Sequence, residues 1–503
     1  MALNPSIEMS FLRIFNNQSF RMRFRPNRIR DGFSKADRGY FFLKDNGPMD
    51  SVEPGTEQPE RDHITHASRR GFLQGTLAAV TLPLTILGTA GSADAGAGPD
   101  SLPSAFAGLK PLGSRVRPIT AEEFRGRLEM AQRLMADAPT SSADSAGSRA
   151  KLDALFFAPG TSLYYFTGIR WGLSERLVGL VLPRAGHPVV VAPAFEEGRL
   201  REQLKFPIEV RVWQEDESPT KLAAAALAEQ GVRTGRMGIE ETTGFTFFDH
   251  FRQAAPGLEC VSADPITIAC RGRKSAHELE LMRLGCEATF NVFRAVFASI
   301  KEGMSQHDIS HLVEAVFSKM ELHGGALVLL GASAALPHGT VKPQKLKEGD
   351  VILIDGGCAV ESYQSDVTRT SVLGKSSEKV ARAFELVRKA QDAALDAARA
   401  GKLSGTVDDA ARAVITGAGY GPDYKFFTHR LGHGIGLDGH EHPYLVRGSK
   451  TVLEPGMTFS NEPGIYVPGE FGLRCEDDMV IGAEGPAQLL TPGFAPSLQK
   501  PFG

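Results

Sequence analysis

Short apolar runs of strand length alternate with a helix-like run between residues 119 and 270. Two of the apolar runs end at a proline turn signal. They are followed by an alanine-rich run that favours a helix. The predicted strands are Leu152–Ala158, Leu177–Leu182 and Pro188–Ala192, and the predicted helix is Lys221–Glu229. Strands that alternate with helices predict a small α/β domain over 119–270.

After residue 270 the pattern changes to long amphipathic runs. Ser275-Ala-His-Glu is a capping-box pattern, and Ser305-Gln-His-Asp resembles another helix start. The predicted helices run from Ser275 to about Ile300, from Ser305 to about Leu322 with Gly324-Gly325 as its end, and from Ser377 to Ala400 with Gly401 as its end; the predicted strands are Val351–Ile354 and Val367–Leu373, and glycine-rich, strand-like pieces fill 428–485. No repeat of about 20–50 residues, the period of a solenoid, is present.

The composition is that of an ordinary globular protein. Of 503 residues, 42% are hydrophobic and 23% are charged, and the net charge is −3. This charge offers no strong field to nucleic acid, so no nucleic-acid partner is predicted, although the basic segment 1–48 leaves a nucleic-acid arm open. The mean hydropathy of −0.14 excludes a polytopic membrane protein. Five cysteines without a CxxC pattern exclude a disulfide framework, and most of them are predicted to be buried apolar side chains.

Residues 1–95 have the character of a leader. Arg69-Arg70 is followed by 23 uncharged residues, Gly71 to Ala93, and then by the small-residue pattern Ala-Asp-Ala. This order predicts a twin-arginine export signal over 68–95 and a periplasmic or extracellular protein. The alternative is a membrane anchor of about 20 residues. Glycine, proline and threonine make the segment only mildly apolar, which favours cleavage and no lasting membrane insertion. Residues 96–118 are predicted to be a linker and 491–503 a tail.

The candidate chemistry lies in the second half of the chain. Asp355 ends a buried-looking strand, and Asp366, eleven residues later, opens another, so a hairpin can bring the two carboxylates together. Two adjacent anions require a cation or a shared proton. His433 lies in a glycine-rich stretch, Glu462 in Asn-Glu-Pro-Gly, and Glu476 before an acidic and apolar strand. Such a set suits two hard or borderline divalent ions that share carboxylates and activate a water.

Each of these pieces alone also has an ordinary structural explanation. An aspartate at a strand end is usually a turn residue, and Asn-Glu-Pro-Gly is a turn signal. Asp477 and Asp478 next to Glu476 leave a solvated acidic patch open. Strand alternation counts against that patch, because it places Arg474 and Glu476 on one face and Cys475 on the other. No G-x-S-x-G elbow is present, so a serine nucleophile is not predicted.

The order of these residues resembles that of the pita-bread metallopeptidases, in particular the aminopeptidase P and prolidase branch. The segments 349–355 and 365–370 are similar to the two-aspartate hairpin of the family, and the segment ending in His338-Gly339 is similar to a histidine segment of that branch. Tyr-Tyr-Phe-Thr-Gly at 164–168 is similar to the branch's N-terminal domain. The resemblance covers about 115–490. It implies an α+β protein in which a smaller α/β creatinase-like domain, 119–270, precedes a pita-bread catalytic domain, 271–490.

The resemblance also implies the site residues and the cofactor. The implied metal ligands are Asp355, Asp366, His433, Glu462 and Glu476, and the implied catalytic residues are His338, His429, His440, Arg474 and Glu462. Two divalent ions are implied, manganese before cobalt, iron or zinc, and no other cofactor. Glu462 would act as general base, and the histidines would stabilise the oxyanion and relay a proton to the leaving nitrogen.

The implied activity is hydrolysis of an Xaa-Pro bond at a peptide N-terminus, by an aminopeptidase or a dipeptidase. The implied partners are a peptide with proline in second position and a second copy of the chain. Filled ligand positions speak against the metal-free creatinase type. A hydrolase or lyase acting on a non-peptide small molecule and an inactive peptide-binding protein stay open. Gly339 replaces a residue that is often bulkier, and His442 could compete with His440, which leaves the substrate preference open.

Overall fold

The structure, a computed structural model, describes residues 103–136 and 151–503. The predicted leader and its export signal lie outside the described residues. Among the described helices, none combines the length and the apolar character needed to cross a membrane. The α-helices are α1 (Ala121–Ala136), α2 (Thr161–Thr167), α3 (Glu197–Arg201), α4 (Pro219–Glu229), α5 (Phe245–Ala254), α6 (Asp264–Arg271), α7 (Ala276–Phe297), α8 (Gln306–Lys319), α9 (Glu378–Ala397) and α10 (Ser404–Gly417). The strands of the first part are β1 (Ala154–Phe157), β2 (Gly179–Pro183), β3 (Val189–Pro193), β4 (Glu209–Trp213), β5 (Gly235–Ile239) and β6 (Leu258–Ser262); those of the second part are β7 (His323–Leu330), β8 (Val351–Val360), β9 (Tyr363–Gln364), β10 (Val367–Val372), β11 (Gly432–Gly434), β12 (Glu441–Leu445), β13 (Thr458–Asn461), β14 (Gly464–Val467), β15 (Phe471–Arg474), β16 (Asp477–Val480) and β17 (Gln488–Leu489).

The first part is built on a six-stranded sheet with the order β4-β3-β2-β1-β5-β6. The pairs β1–β2 and β2–β3 are antiparallel, whereas β3–β4, β1–β5 and β5–β6 are parallel. The three strands predicted from apolar runs are those in which every residue is buried, since helices or neighbouring elements cover both faces. The predicted helix is also present, but α4 begins two residues earlier because Ser218 caps it and Pro219 occupies its first turn.

The second part consists of antiparallel sheets with helices packed against them. One sheet has the order β10-β8-β7, with β9 paired to β8, and another has the order β12-β11-β13-β16-β17. Helices α7 and α8 pack on the first sheet in one apolar cluster, and α9 and α10 pack on the second in another. The sheets meet where Thr368 bridges Glu476, with hydrogen bonds of 3.3 and 3.2 Å between their backbones. The two main sheets of this part therefore converge beside a predicted metal ligand.

Two helix starts follow their predicted capping patterns. Ser275 and Glu278 form a full capping box at α7, and Ser305 and Asp308 form one at α8. Each satisfies two backbone N–H groups that the first turn of a helix leaves without a partner.

The predicted ends of two elements are wrong. Helix α8 ends at Lys319, and Gly324 and Gly325 lie inside strand β7 instead of ending the helix. A Cβ on Gly324 would lie 2.6 Å from the Phe317 ring, so the glycine permits close packing of α8 on the sheet. Likewise, β8 continues through its glycines, so Asp355 lies within the strand and not at its end.

Residues 491–503, which were predicted to be a tail, pack against the second part of the protein. The Gly493 carbonyl accepts a hydrogen bond of 2.7 Å from Arg369. Leu498 is buried, and the Phe502 ring contacts that of Phe290 at a centroid distance of 5.1 Å. The segment therefore covers the side of the sheets that faces away from the candidate site.

All five cysteines are unpaired and four are buried, as the composition predicted.

Gly357 is expected to be essential for the two-aspartate hairpin. A Cβ at this position would lie 1.9 Å from the Ser365 carbonyl oxygen, which is backbone and cannot move aside. We expect Gly357→Ala to lower the free energy of unfolding by about 3 kcal/mol, the upper range for overpacking. The matched control is Gly126→Ala in α1, where no atom lies within 4 Å of the new Cβ. This control should stabilise the protein by up to about 1 kcal/mol. Urea unfolding of both variants measures the difference, and equal stabilities would contradict the prediction.

Candidate active site

A cavity of about 320 Å³ opens where the two main sheets of the second part converge. Its walls include every side chain that the sequence predicted as a ligand or catalytic residue, together with one that it did not predict, Arg430. The lining residues are His338, Asp355, Asp366, His429, Arg430, His433, His440, Glu462, Arg474 and Glu476. Residues separated by up to 138 positions in the chain (338 to 476) are thereby brought into a single site.

The backbone around each carboxylate is held by hydrogen bonds. Asp355 lies on β8 opposite Thr368 of β10, and Asp366 lies immediately before β10. The backbone N–H of Asp366 donates to Asp478 at 2.9 Å. The backbone N–H of Glu462 donates to the Leu431 carbonyl at 3.0 Å. These hydrogen bonds fix the backbone positions from which the Asp366 and Glu462 side chains extend.

The acidic run at 476–478 is not a solvated patch. Glu476, Asp477 and Asp478 are all buried, with exposed fractions of 2%, 0% and 0%. Asp477 faces away from the cavity and forms an ion pair of 2.7 Å with Arg369, while Asp478 accepts from the Asp366 backbone. The alternative that these residues form a solvated acidic patch is therefore wrong. The neighbours of Glu476 instead hold the backbone around the site through their contacts with Arg369 and Asp366.

The carboxylates approach each other closely. Ligand atoms lie within 4.8 Å of one another in three overlapping groups: Asp355, Asp366 and Glu476; His433, Glu462 and Glu476; and Asp366, His433 and His440. Burial, and then the neighbouring carboxylates, raise the pKa values of Asp366 and Glu476 well above their ordinary range. Burial likewise raises the pKa of Glu462 to about 7.

A single buried cation lies among these carboxylates in the described part of the site. Arg474 hydrogen-bonds Asp355 through Nη2, and its Nε lies 3.7 Å from Glu476. Even together with Arg430 on the cavity wall, Arg474 cannot neutralise four carboxylates, so the arrangement carries excess negative charge in a place that solvent hardly reaches. Oxygen-rich donors with one imidazole and uncompensated charge fit divalent cations.

His433 presents one ring nitrogen to the carboxylates. Its Nδ1–H donates to the Gly434 carbonyl at 3.1 Å, which fixes the tautomer and leaves Nε2 as the free donor atom for a metal. Nε2 lies 3.4 Å from Glu462 Oε1 and 3.9 Å from Asp366 Oδ2. Burial lowers the pKa of His433 to about 3, so the ring is in the neutral form that a metal ligand requires.

The other three histidines of the cavity differ in the hydrogen bonds of their ring nitrogens and in their exposure. His429 donates from Nδ1 to the Arg430 carbonyl at 2.7 Å, and its Nε2 accepts from the Tyr466 hydroxyl at 2.8 Å. Both of its nitrogens are thus engaged within the protein. His338 and His440 are exposed in the cavity, and the ring of His440 lies 3.8 Å from that of His433. The geometry therefore favours His338 and His440 as the imidazoles that meet a substrate.

His442 does not compete with His440. Its side chain is exposed, packs on the Tyr444 ring at 4.5 Å, and is not part of the cavity lining.

Sequence reasoning missed three polar residues of the site. The Thr368 hydroxyl contacts Asp355 at 2.9 Å and Glu476 at 2.5 Å. The Tyr466 hydroxyl accepts from Arg474 at 3.0 Å while donating to His429. Thr368 could have been found, because it lies two positions after Asp366 on the same strand face. Tyr466 and Arg430 gave no periodic signal, since distant parts of the chain bring them to the cavity.

Comparison with known proteins agrees with this arrangement. The family profile "Metallopeptidase family M24" matches residues 280–483, and "Creatinase/Prolidase N-terminal domain" matches 142–272. The chain is 35% identical over 376 residues to the probable dipeptidase PepE of Mycobacterium tuberculosis, covering 73% of this chain and 95% of the relative. It is 31% identical over 344 residues to the Xaa-Pro dipeptidase of Pyrococcus furiosus, covering 67% and 93%.

Solved structures are similar as well. The crystal structure of dipeptidase PepE from Mycobacterium ulcerans has a TM-score of 0.68 at 31% identity and covers 75% of this chain and 98% of that one. A recombinant prolidase from Thermococcus sibiricus has a TM-score of 0.65 at 31% identity and covers 74% and 97%. The predicted fold class, a creatinase-like domain before a pita-bread domain, is confirmed. The chain belongs to metallopeptidase family M24, with a creatinase/prolidase-type domain ahead of the peptidase domain.

Proposed function

We propose that this protein is a metal-dependent exopeptidase that hydrolyses the bond between an N-terminal residue and a following proline, with dipeptides as its preferred substrates. The observation that carries the proposal is the convergence of four carboxylates and one neutral imidazole in one cavity. Relatives that are named Xaa-Pro dipeptidase and dipeptidase support the choice of substrate.

The donor set suits two divalent ions, of which manganese is our first choice because most of the donors are carboxylate oxygens. Asp355, Asp366, His433, Glu462 and Glu476 would hold them. When bound, such ions supply a water of lowered pKa and polarise the scissile carbonyl.

The protein's own groups have distinct tasks. The Ser460 hydroxyl donates a hydrogen bond of 3.2 Å to Glu462 Oε1. The other oxygen of this carboxylate, Oε2, is available to accept the proton of the attacking water. A prolyl nitrogen carries no hydrogen in the peptide, so it must receive a proton as it leaves. His440 and His338 face the cavity and can donate to the developing oxyanion and to this nitrogen.

Arg430 supports the preference for dipeptides. Its guanidinium lies 4.1 Å from the centroid of the Tyr444 ring, lines the cavity, and has no ion-pair partner among residues 103–136 and 151–503. Arg474, by contrast, is already engaged by Asp355. A free guanidinium beside the reaction centre suits the terminal carboxylate of a dipeptide.

Replacing Arg430 with methionine should therefore raise KM for Xaa-Pro dipeptides. A charge-assisted hydrogen bond contributes about 1.5–3 kcal/mol, so we expect an increase of about 10- to 100-fold. The amide Xaa-Pro-NH₂ lacks the carboxylate and should be affected little. The control is Arg447→Met, which removes an exposed arginine paired with Asp423 outside the cavity. Equal KM changes for the acid and the amide would contradict this role of Arg430.

The first test of the function is the cleavage of a peptide panel by the purified, manganese-loaded chain. The panel contains Xaa-Pro dipeptides, Xaa-Pro tripeptides and Xaa-Ala dipeptides, each with and without chelator, and mass spectrometry identifies the products. We expect chelator-sensitive release of the first residue from Xaa-Pro dipeptides. Two bound ions per chain without any cleavage would favour a small-molecule substrate. Neither metal nor cleavage would favour a peptide-binding protein.

Export by the twin-arginine route, a periplasmic or extracellular location, and cleavage near Ala95 are further proposals that depend on the sequence at 68–95. Cell fractionation of the chain with Arg69 and Arg70 changed to lysine tests them.

The domain limits 119–270 and 271–490 are likewise proposed. A homodimer is proposed too, and exposed apolar side chains on the first part, Leu173, Phe195 and Phe245, support self-association. Sedimentation of the purified chain measures its mass in solution.

A further inference from the structure

The loop that carries His440 is held by a cluster of charges. This loop connects β11 to β12, and backbone hydrogen bonds hold its first residues, from Ile435 N–H to Thr458 at 3.3 Å and from Gln364 N–H to Gly436 at 2.7 Å. Asp438 lies two residues before His440 and Glu441 one residue after it, and neither is among the residues that line the cavity. Their partners therefore decide where the imidazole of His440 lies.

Arg271 binds both flanking carboxylates with one guanidinium. Its Nη2 donates to Asp438 Oδ2 at 2.5 Å and to Glu441 Oε2 at 2.6 Å. Lys274 adds a second cation, with Nζ 2.6 Å from Glu441 Oε1. The side chains of Arg271, Glu441 and Lys274 are only 14%, 7% and 2% exposed, so solvent screens these contacts weakly. We call Arg271, Lys274, Asp438 and Glu441 the charge cluster.

The charge cluster connects the first part of the protein to this loop. Arg271 is the last residue of α6, and its Nη1 donates to the Ser162 hydroxyl at 3.2 Å. The Thr161 hydroxyl, at the start of α2, donates to Asp438 Oδ1 at 2.5 Å. Elements of the N-terminal part therefore contact both sides of the loop without reaching the cavity.

The loop packs directly on the ion pairs. A Cβ on Gly436 would lie 2.5 Å from Glu441 Oε1 and 2.7 Å from Lys274 Cε. Since the loop has no room for a side chain here, it cannot shift toward the cluster. Loss of the Arg271 contacts would free the loop to move away from the cluster.

We propose that Arg271 is a positioning residue that acts on the reaction through His440, by holding Asp438, two residues before it, and Glu441, the residue after it. The inference rests on the proposed function, because it concerns the imidazole that meets the substrate there. Through Thr161 and Ser162 of α2, and through α6, whose last residue Arg271 lies at the proposed domain limit, the N-terminal part would contribute to catalysis although none of its described side chains lines the cavity.

A double-mutant cycle separates positioning from a general structural role. Arg271→Lys keeps the charge but shortens the side chain and loses Nη2, which holds both carboxylates, and Nη1, which donates to Ser162. We expect kcat to fall about 10-fold or more with KM nearly unchanged, as for other residues that orient a catalytic group. In a His440→Ala background the same change should lower kcat by no more than about twofold, because the group it positions is gone. An equal loss in both backgrounds overturns the proposal.

Two further variants test whether the loss of kcat is specific to the charge cluster. Arg273→Lys changes a neighbouring exposed arginine that pairs with Glu454, and it should leave kcat unchanged. Asp438→Asn removes the more exposed carboxylate, whose side chain is 42% exposed, and should lower kcat in the same direction as Arg271→Lys.

Hydrogen exchange of the full chain gives a readout that does not depend on activity. Arg271→Lys should speed amide exchange in the peptide covering 434–442, while the peptide covering β8, which carries Asp355, stays protected. Unchanged exchange at 434–442 overturns the proposal, and so does equally faster exchange in both peptides. Failure of the wild-type protein to cleave any Xaa-Pro peptide would instead contradict the proposed function, and exchange would still decide the positioning role.

Discussion

Replacing Glu476 with glutamine should nearly abolish turnover and at the same time stabilise the metal-free protein. Glu476 belongs to two of the three groups of converging ligand atoms and is 2% exposed. Without one anionic oxygen the site should bind metal poorly, and metal activation supplies several kcal/mol of the rate. We therefore expect kcat/KM to fall by about 10³-fold or more. In the metal-free protein, glutamine removes one of four mutually repelling carboxylates, so thermal unfolding should shift to higher temperature.

The dependence on pH gives this prediction a second measurement. Carboxyl groups whose pKa is raised in the folded protein favour the protonated state, and Glu462 has a pKa of about 7 against an ordinary 4.5. The unfolded chain ionises these groups first, so the carboxyl groups should make the metal-free protein lose stability as the pH rises from about 4.5 to about 7, while His429 and His433, whose pKa burial lowers to about 3, oppose this loss below about pH 6.5. Glu476→Gln should make this loss shallower, and added manganese should remove most of it.

The matched control for Glu476 is Glu470→Gln. Glu470 is an exposed glutamate that pairs with Lys379 outside the cavity. Metal content, kcat/KM and thermal unfolding with and without chelator are measured for both variants. A Glu476→Gln protein that binds two ions and turns over peptide like the wild type would contradict the assignment of Glu476 as a ligand.

The sequence predicts the site better than it predicts the contacts that support it. The two-aspartate hairpin was predictable because strands on both sides of a turn must pair, and this pairing places Asp355 opposite Thr368, two residues after Asp366. The extent of β8 was not, since glycines usually weaken a strand. Here Gly356 and Gly357 are retained because neighbouring backbone fills the space of their side chains.

The hydrogen bond between His429 and Tyr466 and the charge cluster around Arg271 could not be predicted either. Arg271 and Glu441 are 170 positions apart, and Tyr466 reaches His429 across 37. No local period records such pairs, because they arise only when whole elements pack. The same limit explains why the sequence left open that Asp477 and Asp478 form a solvated acidic patch. Their partners, Arg369 and Cys286, lie far away in the sequence, so their burial could not be predicted from the neighbouring residues.

Arg369→Met should cause one of the largest losses of stability that a single substitution can cause in this fold. Arg369 is fully buried and forms an ion pair of 2.7 Å with Asp477, which is buried as well. It also donates to the Glu476 carbonyl at 2.9 Å and to the Gly493 carbonyl at 2.7 Å, so it joins the C-terminal segment to the backbone of a proposed metal ligand. Methionine fills similar space but leaves Asp477 charged and buried without its cation. We expect the free energy of unfolding to fall by about 3–5 kcal/mol.

The double variant decides whether the lost charge pairing is the cause. Asp477 accepts hydrogen bonds from Gln391 at Oδ2 (2.9 Å) and from Thr491 at Oδ1 (2.7 Å), so Asp477→Asn removes its charge while the amide oxygen can still accept from Gln391 and the amide N–H can donate to the Thr491 hydroxyl. Adding Asp477→Asn to Arg369→Met should therefore recover part of the stability, because no unpaired charge stays buried. Urea unfolding of the metal-free chains compares the three variants with the wild type. A loss below about 1 kcal/mol for Arg369→Met, or no recovery in the double variant, would show that packing of the C-terminal segment, and not the ion pair, holds this side of the site.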